Sequence, residues 1–311
     1  MATTSERITS DITRAAEVVD VARGVVRTGI ATLVASGGPD VHQQLAYDIA
    51  HSAAAVETAS SLIDYGAKGE TEGLLTCAFV ADMVHEVASR ILGRESLWGF
   101  SAQPFASVMD FVAIYRDPDF VASLATTQGP RHLDDEFEMV QDTFRGFATK
   151  VIAPRAEHVH RYNEDVPEEI ISGLAELGAF GLSVPSEYGG FSEGGDGEYM
   201  ASCIATEELS RASLGIGGSL ITRPEILTRA LVKGGTEAQK KEWLPKLATT
   251  EVMAAVAVTE PDYGSDVANL KTTAVRTPDA NGNDGWLING DRKSTRLNSS
   301  HTDISRMPSS A

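Results

Sequence analysis

The chain has 311 residues, of which 42% are hydrophobic and 23% charged, and its formal net charge is −18. This length suffices for one or two domains with a buried core. An acidic chain repels phosphate backbones, which argues against nucleic acid as the main partner. No apolar signal segment follows Met1, and no stretch approaches the roughly 20 apolar residues of a membrane span. Cys77 and Cys203 lack metal-ligand spacing and are typical of reduced thiols, so we expect a cytoplasmic protein with no metal and no membrane contact.

Residues 1–128 have apolar residues at helical spacing. Helices are predicted over residues 18–33, 45–63, 74–92 and 109–114. Residues 126–130 are a predicted linker. The three histidines, His42, His51 and His85, are scattered, which favours surface or core positions over metal ligation. The block is predicted to be a helical extension in the form of a bundle, and it shows no chemistry of its own.

Residues 129–251 are predicted to form a second helical domain. Its helices are expected over residues 133–153, 167–177, 200–211, 219–233 and 236–247. The first should stop before Pro154, since proline disrupts a helix interior. Thr236 is the predicted cap of the last helix. The Gly-rich stretch 189–197 lacks a lysine and a strand-to-helix setting, so it is predicted to be a loop and not a nucleotide cradle.

Residues 252–290 change to a β pattern. Strands are expected over residues 252–259, 270–276 and 286–290, with residues 281–285 forming a hairpin turn. Too few strands are present to close a β domain, which leaves open edges and an unburied face. We therefore expect a mainly α chain that carries the start of an incomplete β domain.

Residues 291–311 have an unusual back-translation. With permitted codons, residues 291–301 and 305–311 both resemble a common sequencing adapter, separated by a gap the size of an index. The segment carries four cationic and two acidic side chains, so the other 290 residues carry −20. We expect an artefactual tail and a natural sequence interrupted after Gly290. The alternative is a basic, Ser-rich disordered tail.

A series of motifs resembles the acyl-CoA dehydrogenase family. Its centre is Val-Ala-Val-Thr-Glu-Pro-Asp-Tyr-Gly-Ser-Asp at residues 256–266, which resembles the family's flavin-binding signature. The companion motifs, in the family's order, are residues 177–190, 208–211, 235–245, 271–274 and 287–290. Alone, the central motif would read as a plain β-turn. The ordered set covers about residues 133–290 and implies the family's helical domain followed by a truncated, β-barrel-like middle domain.

The resemblance implies FAD as cofactor and an acyl-CoA thioester as substrate. It assigns flavin contacts to Val258, Thr259, Gly264 and Ser265, and it places Ser265 at the substrate's pantetheine arm as well. Gly264 is expected to allow an unusual backbone angle and a close approach. Glu260 is expected to be a buried structural carboxylate. The catalytic Glu of the family would lie beyond residue 290, so no catalytic residue is assigned.

The extension and residues 219–225 together look like the branch of the family that oxidises (2S)-methylsuccinyl-CoA to mesaconyl-CoA. A substrate with a free carboxylate needs a cation in its pocket, and Arg223 is the candidate. A surface salt bridge is the alternative for Arg223. Glutaryl-CoA dehydrogenases carry their carboxylate-binding Arg at the place of Gly217. The family also implies an electron-transfer flavoprotein as partner and a homotetramer at full length.

Two functional readings remain open. The first is a fragment of an FAD-dependent acyl-CoA dehydrogenase. We expect the 311-residue chain to be inactive, because the catalytic base and part of the flavin site are missing. The second is a non-catalytic helical interaction module derived from that family. A yellow full-length protein is expected for the first, and a folded colourless chain for the second.

Overall fold

A computed structural model of the chain describes residues 8–254, 256–278 and 282–291. The described part is mainly α-helical with one two-stranded sheet, which confirms the predicted fold class. Two compact units divide the chain, Met1–His132 and Leu133–Ala311. Within the described residues, no helix is long and apolar enough to cross a membrane. Nearly all of the adapter-like segment, residues 292–311, lies outside the described residues.

The first unit is built from helices, as its apolar spacing predicts. They are α1 (Ile12–Ala35), α2 (Gln43–Gly66), α3 (Glu70–Ile91), α4 (Met109–Tyr115) and α5 (Pro118–Leu124). Helix α1 begins where the Asp11 carboxylate accepts the amide of Arg14 at 2.9 Å. It ends before Gly37 and Gly38, whose φ angles of 118° and 83° suit glycine and stop the helix. The three long helices pack against one another.

The core of the first unit contains the indole of Trp98, which is fully buried. Its ring lies against Gly29 of α1, and a side chain at position 29 would collide with the ring. Asp48 of α2 adds a polar tie, because its nearly buried carboxylate binds Arg90 at 3.4 Å and Arg94 at 2.8 Å. Two cations on one carboxylate offset the cost of burying its charge. This pairing joins α2 to the end of α3.

Among the described residues of the second unit, six α-helices form the helical part. They are α6 (Asp135–Phe147), α7 (Ala153–Tyr162), α8 (Glu168–Glu176), α9 (Asp196–Ala212), α10 (Ser219–Gly234) and α11 (Glu237–Ala248). Helix α6 packs against α9, and α10 packs against α11. Helix α11 starts with a capping box in which Thr236 and Gln239 bind each other's backbone amides, which confirms the predicted cap. The main core of the second unit contains three fully buried side chains, those of Ile170, Leu174 and Leu209.

The predicted helix end before Pro154 is wrong. Helix α6 continues through one π-helical turn, Ala148–Ile152, directly into α7, and Pro154 lies in the first turn of α7. The wider turn is closed by the Ala153 amide, which donates to the Ala148 carbonyl five residues earlier. Proline has no amide to donate and its ring crowds the preceding turn, so a π-turn accommodates it where a regular helix would break.

The end of the described chain is a β-hairpin. Strands β1 (Thr273–Arg276) and β2 (Trp286–Asn289) pair antiparallel, with Thr273 opposite Asn289. This confirms two of the three predicted strands. The predicted strand at residues 252–259 is wrong for its described residues, which form no ladder with β1 or β2. An alternating apolar pattern becomes a strand only when a partner edge is available.

Candidate functional site

The central motif forms a tight turn ahead of the hairpin. Glu260 and Tyr263 exchange backbone hydrogen bonds of 3.1 and 3.2 Å, with Pro261 and Asp262 between them. Proline after the first residue suits such a turn because its φ is already fixed. Thr259 lies immediately before this turn and Gly264 immediately after it. The motif therefore presents its candidate ligand groups from one small piece of backbone.

The side chain of Glu260 holds this turn to the hairpin. The residue is only 5% exposed. Its carboxylate accepts the amides of Lys271 and Thr272, both at 2.7 Å, and the Thr272 hydroxyl at 2.6 Å. Short bonds to an ionised acceptor are about twice as strong as neutral ones. Glu260 therefore has the buried structural role expected from the sequence, and its oxygens are already occupied.

The four candidate flavin-contact residues lie around this turn. Val258 is 46% exposed, Thr259 is half-buried, and Gly264 and Ser265 are exposed. The φ of Gly264 lies outside the left-handed range, so the unusual backbone angle that glycine permits is not adopted there. The local turn is already closed by Glu260 and Tyr263, so Gly264 has no strained angle to adopt. A Cβ there would meet open space, which leaves room for a group to approach.

The backbone of Arg223, the candidate substrate cation, belongs to α10, but its side chain lies outside the described residues. Gly217 precedes α10 in a π-helical turn and is buried. A Cβ at this position would lie 2.8 Å from the Leu209 carbonyl oxygen and 3.2 Å from the Ile152 side chain. A larger side chain at 217 would require the backbone to move.

The Glu-Leu-Ser-Arg motif forms a buried ion-pair cluster. Glu208 of α9 has a side chain only 1% exposed and accepts Arg145 of α6 at 2.7 and 3.1 Å. Arg211 adds a contact at 3.1 Å and also donates to the Thr149 hydroxyl at 2.9 Å. The hydrogen bond from Arg145, followed by that from Arg211, holds the pKa of Glu208 below its usual range. The motif therefore fastens α6 to α9.

Two further motifs meet through Tyr188. This residue comes from the loop before α9, and its hydroxyl donates to Glu237 of α11 at 3.0 Å. Tyr188 and Val184 pack in one small cluster with Leu244 of α11. Burial, and then the bond to Glu237, raises the pKa of Tyr188. The motifs at residues 177–190 and 235–245 thus become one packed structure.

Sequence reasoning missed a polar network behind the Gly-rich loop. The Ser192 hydroxyl donates to Glu198 at the start of α9. Arg229 of α10 binds Glu198 at 2.9 Å and Glu225 at 2.9 Å, and it lies over the Tyr199 ring at 4.9 Å from the centroid. The only sequence signal for it is the helical spacing of Glu225 and Arg229. The network links the loop to two helices.

The sequence of this chain is similar to a known family and to several known proteins. The family described as acyl-CoA dehydrogenase, N-terminal domain, matches residues 134–251. A (2S)-methylsuccinyl-CoA dehydrogenase from Cereibacter sphaeroides is 43% identical over 182 residues, which are 57% of this chain and 32% of that protein. A mitochondrial isovaleryl-CoA dehydrogenase from Solanum tuberosum is 34% identical over 211 residues, 66% of this chain and 49% of that protein.

A solved glutaryl-coenzyme A dehydrogenase in complex with glutaryl-CoA is 37% identical, covers 52% of this chain and 39% of that one, and has a TM-score of 0.44. The region at residues 134–251 belongs to the acyl-CoA dehydrogenase family. This chain spans about a third to a half of the length of the two curated relatives, 32% and 49%.

Proposed function

We propose that residues 133–290 are part of an FAD-dependent acyl-CoA dehydrogenase that oxidises the α,β bond of an acyl-CoA thioester. The observation that carries this proposal is the family match at residues 134–251, followed in the chain by the Glu260-anchored turn. Two relatives that are named as acyl-CoA dehydrogenases are 43% and 34% identical to this chain over the matched residues. We propose four regions: a helical extension at 1–128, the helical domain at 129–251, a β domain beginning at 252, and the tail at 291–311.

The residues around the turn fit a flavin. Val256 and Val258 are 36% and 46% exposed and offer an apolar surface for a flat ring. The open space beside Gly264 admits a close approach, and Ser265 is an exposed hydroxyl next to it. When bound, the flavin would accept the β-hydride of the substrate.

The chain's own groups have separate tasks in this proposal. The Val258 backbone and the Thr259 hydroxyl would hold the flavin ring, and Ser265 would contact the flavin and the pantetheine arm. Glu260 would keep the turn in shape through Lys271 and Thr272. Glu260 is not proposed as the base, because its carboxylate already accepts three hydrogen bonds. The base would be a Glu of the full-length protein outside residues 1–290.

For the substrate we propose (2S)-methylsuccinyl-CoA, with mesaconyl-CoA as product. The 43% identical relative from Cereibacter sphaeroides carries that activity in its name. The close approach at Gly217 disfavours a cationic side chain at that position. A cation for the free carboxylate would then come from a different position, and Arg223 of α10 is the candidate.

We also propose the family's partners, an electron-transfer flavoprotein as acceptor and a homotetramer at full length, in the cytoplasm. A second candidate function is a non-catalytic helical interaction module. It is favoured by one observation: the first unit has its own core and lies outside the family match.

The experiment that tests the proposal begins with long-read sequencing of the source DNA across codon 290. If the frame continues, the complete protein is assayed for methylsuccinyl-CoA oxidation with a dye acceptor. The dehydrogenase proposal expects turnover, and Arg223→Ala should raise KM for this substrate. If the DNA encodes residues 291–311 and then stops, the interaction-module function replaces the dehydrogenase proposal. An unchanged KM in Arg223→Ala removes that residue from the substrate site.

A further inference from the structure

A large groove lies in the first unit, lined by residues 8–11 and by side chains of α3, α4 and α5. Its volume is about 1140 Å³. Pockets for small molecules usually have volumes of roughly 300–1,000 Å³. Exposed residues form part of its wall, among them Ala113 and Ser123. The groove is therefore large enough, and open enough, for a segment of another protein. We call it the acidic groove.

The floor of the acidic groove is apolar. Leu74 and Leu124 are half-buried and pack against the core of the first unit, while Ile114 is 48% exposed. The buried ring of Phe120 meets the ring of Tyr115 edge-on, with 5.6 Å between centroids. The floor thus combines fixed aromatic rings with aliphatic surface that is open to solvent. Such a surface suits the apolar side chains of a partner.

The rim of the acidic groove carries negative charge. Asp11, Asp117 and Asp119 line it, and no Lys, Arg or His is among the described residues that do so. All three aspartates are exposed. Asp11 and Asp117 cap α1 and α5 through Oδ1, and both caps keep their carboxylates at fixed positions on the rim.

The cations closest to this rim in the sequence are engaged elsewhere. Arg14 donates to the carbonyl oxygen of Ser107 at 3.0 Å and to Asp110 at 3.4 Å. Arg116 donates to Asp82 at 2.7 Å. Neither arginine lines the groove. The rim therefore attracts cations and repels nucleic acid and anionic lipid.

We propose that the acidic groove is the docking site for an amphipathic helix of a partner protein. The apolar stripe of that helix packs on the floor, and Lys or Arg side chains beside the stripe meet the three aspartates. Charge complementarity selects this occupant, since the rim carries only acidic charge. The groove belongs to the first unit alone, so the inference does not depend on the dehydrogenase proposal.

A labelled peptide tests this inference on the 311-residue chain. The probe is a peptide of leucine and lysine, about 16 residues long, with its leucines on one helical face. Fluorescence anisotropy is recorded at about 0.15 M salt, which screens loose attraction to an acidic chain. A scrambled peptide of the same composition should bind at least about tenfold more weakly, because it has no apolar face. A peptide with glutamate in place of lysine should not bind.

Two substitutions locate the bound peptide. Asp119→Asn on the rim and Ile114→Ala on the floor should each weaken binding about threefold to tenfold. Asp40→Asn is the matched control for charge, because Asp40 is exposed and follows the far end of α1. Ile30→Ala is the matched control for apolar surface, since Ile30 is 44% exposed and does not line the groove. Both controls should bind like the wild type.

Hydrogen exchange in the wild-type chain gives the same information without a substitution, and it decides the matter if a variant loses helix content. The peptide should slow exchange of the α5 amides about threefold or more and leave those of α2 unchanged. Absent binding, equal binding by the scrambled peptide, or equal binding by all four variants overturns the inference. So does self-association of the chain that Ile114→Ala abolishes, because the occupant would then be a second copy.

Discussion

Two glycines on α1 allow one substitution to be made with opposite expected outcomes. Gly24 and Gly29 are both helical, and alanine stabilises a helix interior by roughly 1 kcal/mol over glycine. At Gly24 an added Cβ meets nothing within 4 Å. Gly24→Ala should therefore stabilise the first unit by about 1 kcal/mol, the full helix-propensity gain.

At Gly29 the added methyl has no room. Its Cβ would lie 2.7 and 3.2 Å from two ring carbons of Trp98 and 3.4 Å from the Ile49 side chain. Trp98 is fully buried, so its ring cannot move into solvent. Overpacking a core costs about 1–3 kcal/mol. Set against the helix gain, Gly29→Ala should destabilise the unit by about 1 kcal/mol.

Hydrogen exchange of the α1 amides measures both effects within the first unit, and urea denaturation followed by circular dichroism supports them. The predicted order of opening free energies is Gly24→Ala, then wild type, then Gly29→Ala. Stabilisation by both substitutions would mean that Trp98 does not pack on Gly29. Destabilisation by both would mean that the exposed face of α1 near Gly24 is covered.

Two predictions concern the buried carboxylates of the second unit. Glu260→Gln should speed exchange of the Lys271 amide about tenfold or more, because an amide side chain cannot accept three donors with the strength of a carboxylate. Glu208→Gln should lower the stability of the helical part by about 1 kcal/mol, since its half-exposed arginine partners regain water. Because Arg145 lowers the pKa of Glu208, this contribution is present above the ordinary carboxyl range near pH 4.3 and is lost as pH falls through the lowered pKa. On acidification, the helix content of Glu208→Gln should therefore change less steeply with pH than that of the wild-type chain.

Exposed carboxylates serve as controls for both. Glu251 is an exposed carboxylate that precedes Glu260 in the chain, and Glu251→Gln should leave exchange of the Lys271 amide unchanged. Glu157 pairs with Arg161 on the surface, where both side chains are more than two-thirds exposed. Glu157→Gln should change stability by less than about 0.5 kcal/mol. Equal effects of control and test substitutions would contradict the assigned roles of Glu260 and Glu208.

The helices could be predicted because apolar spacing and caps are local signals. The four apolar stretches of the first unit became helices, and Thr236 caps α11 as its spacing to Gln239 predicts. The hairpin could be predicted for the same reason, since β1 and β2 are neighbours in the sequence. The buried role of Glu260 came from its place in a recognised motif.

The wrong and missed predictions have a common cause. Each depends on a contact between residues far apart in the sequence or on a local change in helix geometry. Pro154 looks like a helix end until a π-turn absorbs it. Residues 252–259 have a strand pattern, but a strand forms only where a partner edge exists. The bonds of Tyr188 to Glu237 and of Arg229 to Glu198 join residues 49 and 31 positions apart. No local pattern predicts such pairs, because they arise only when the helices pack.

The flavin content of the complete protein distinguishes an FAD-dependent dehydrogenase from a non-catalytic interaction module. The gene, verified by long reads across codon 290, is expressed, and the purified protein is desalted and its visible absorption recorded. We expect a yellow protein with about one FAD per chain, and we expect it to lose the flavin when Gly264 is replaced by a bulky residue such as Trp. A folded, colourless protein that takes up no added FAD would contradict it.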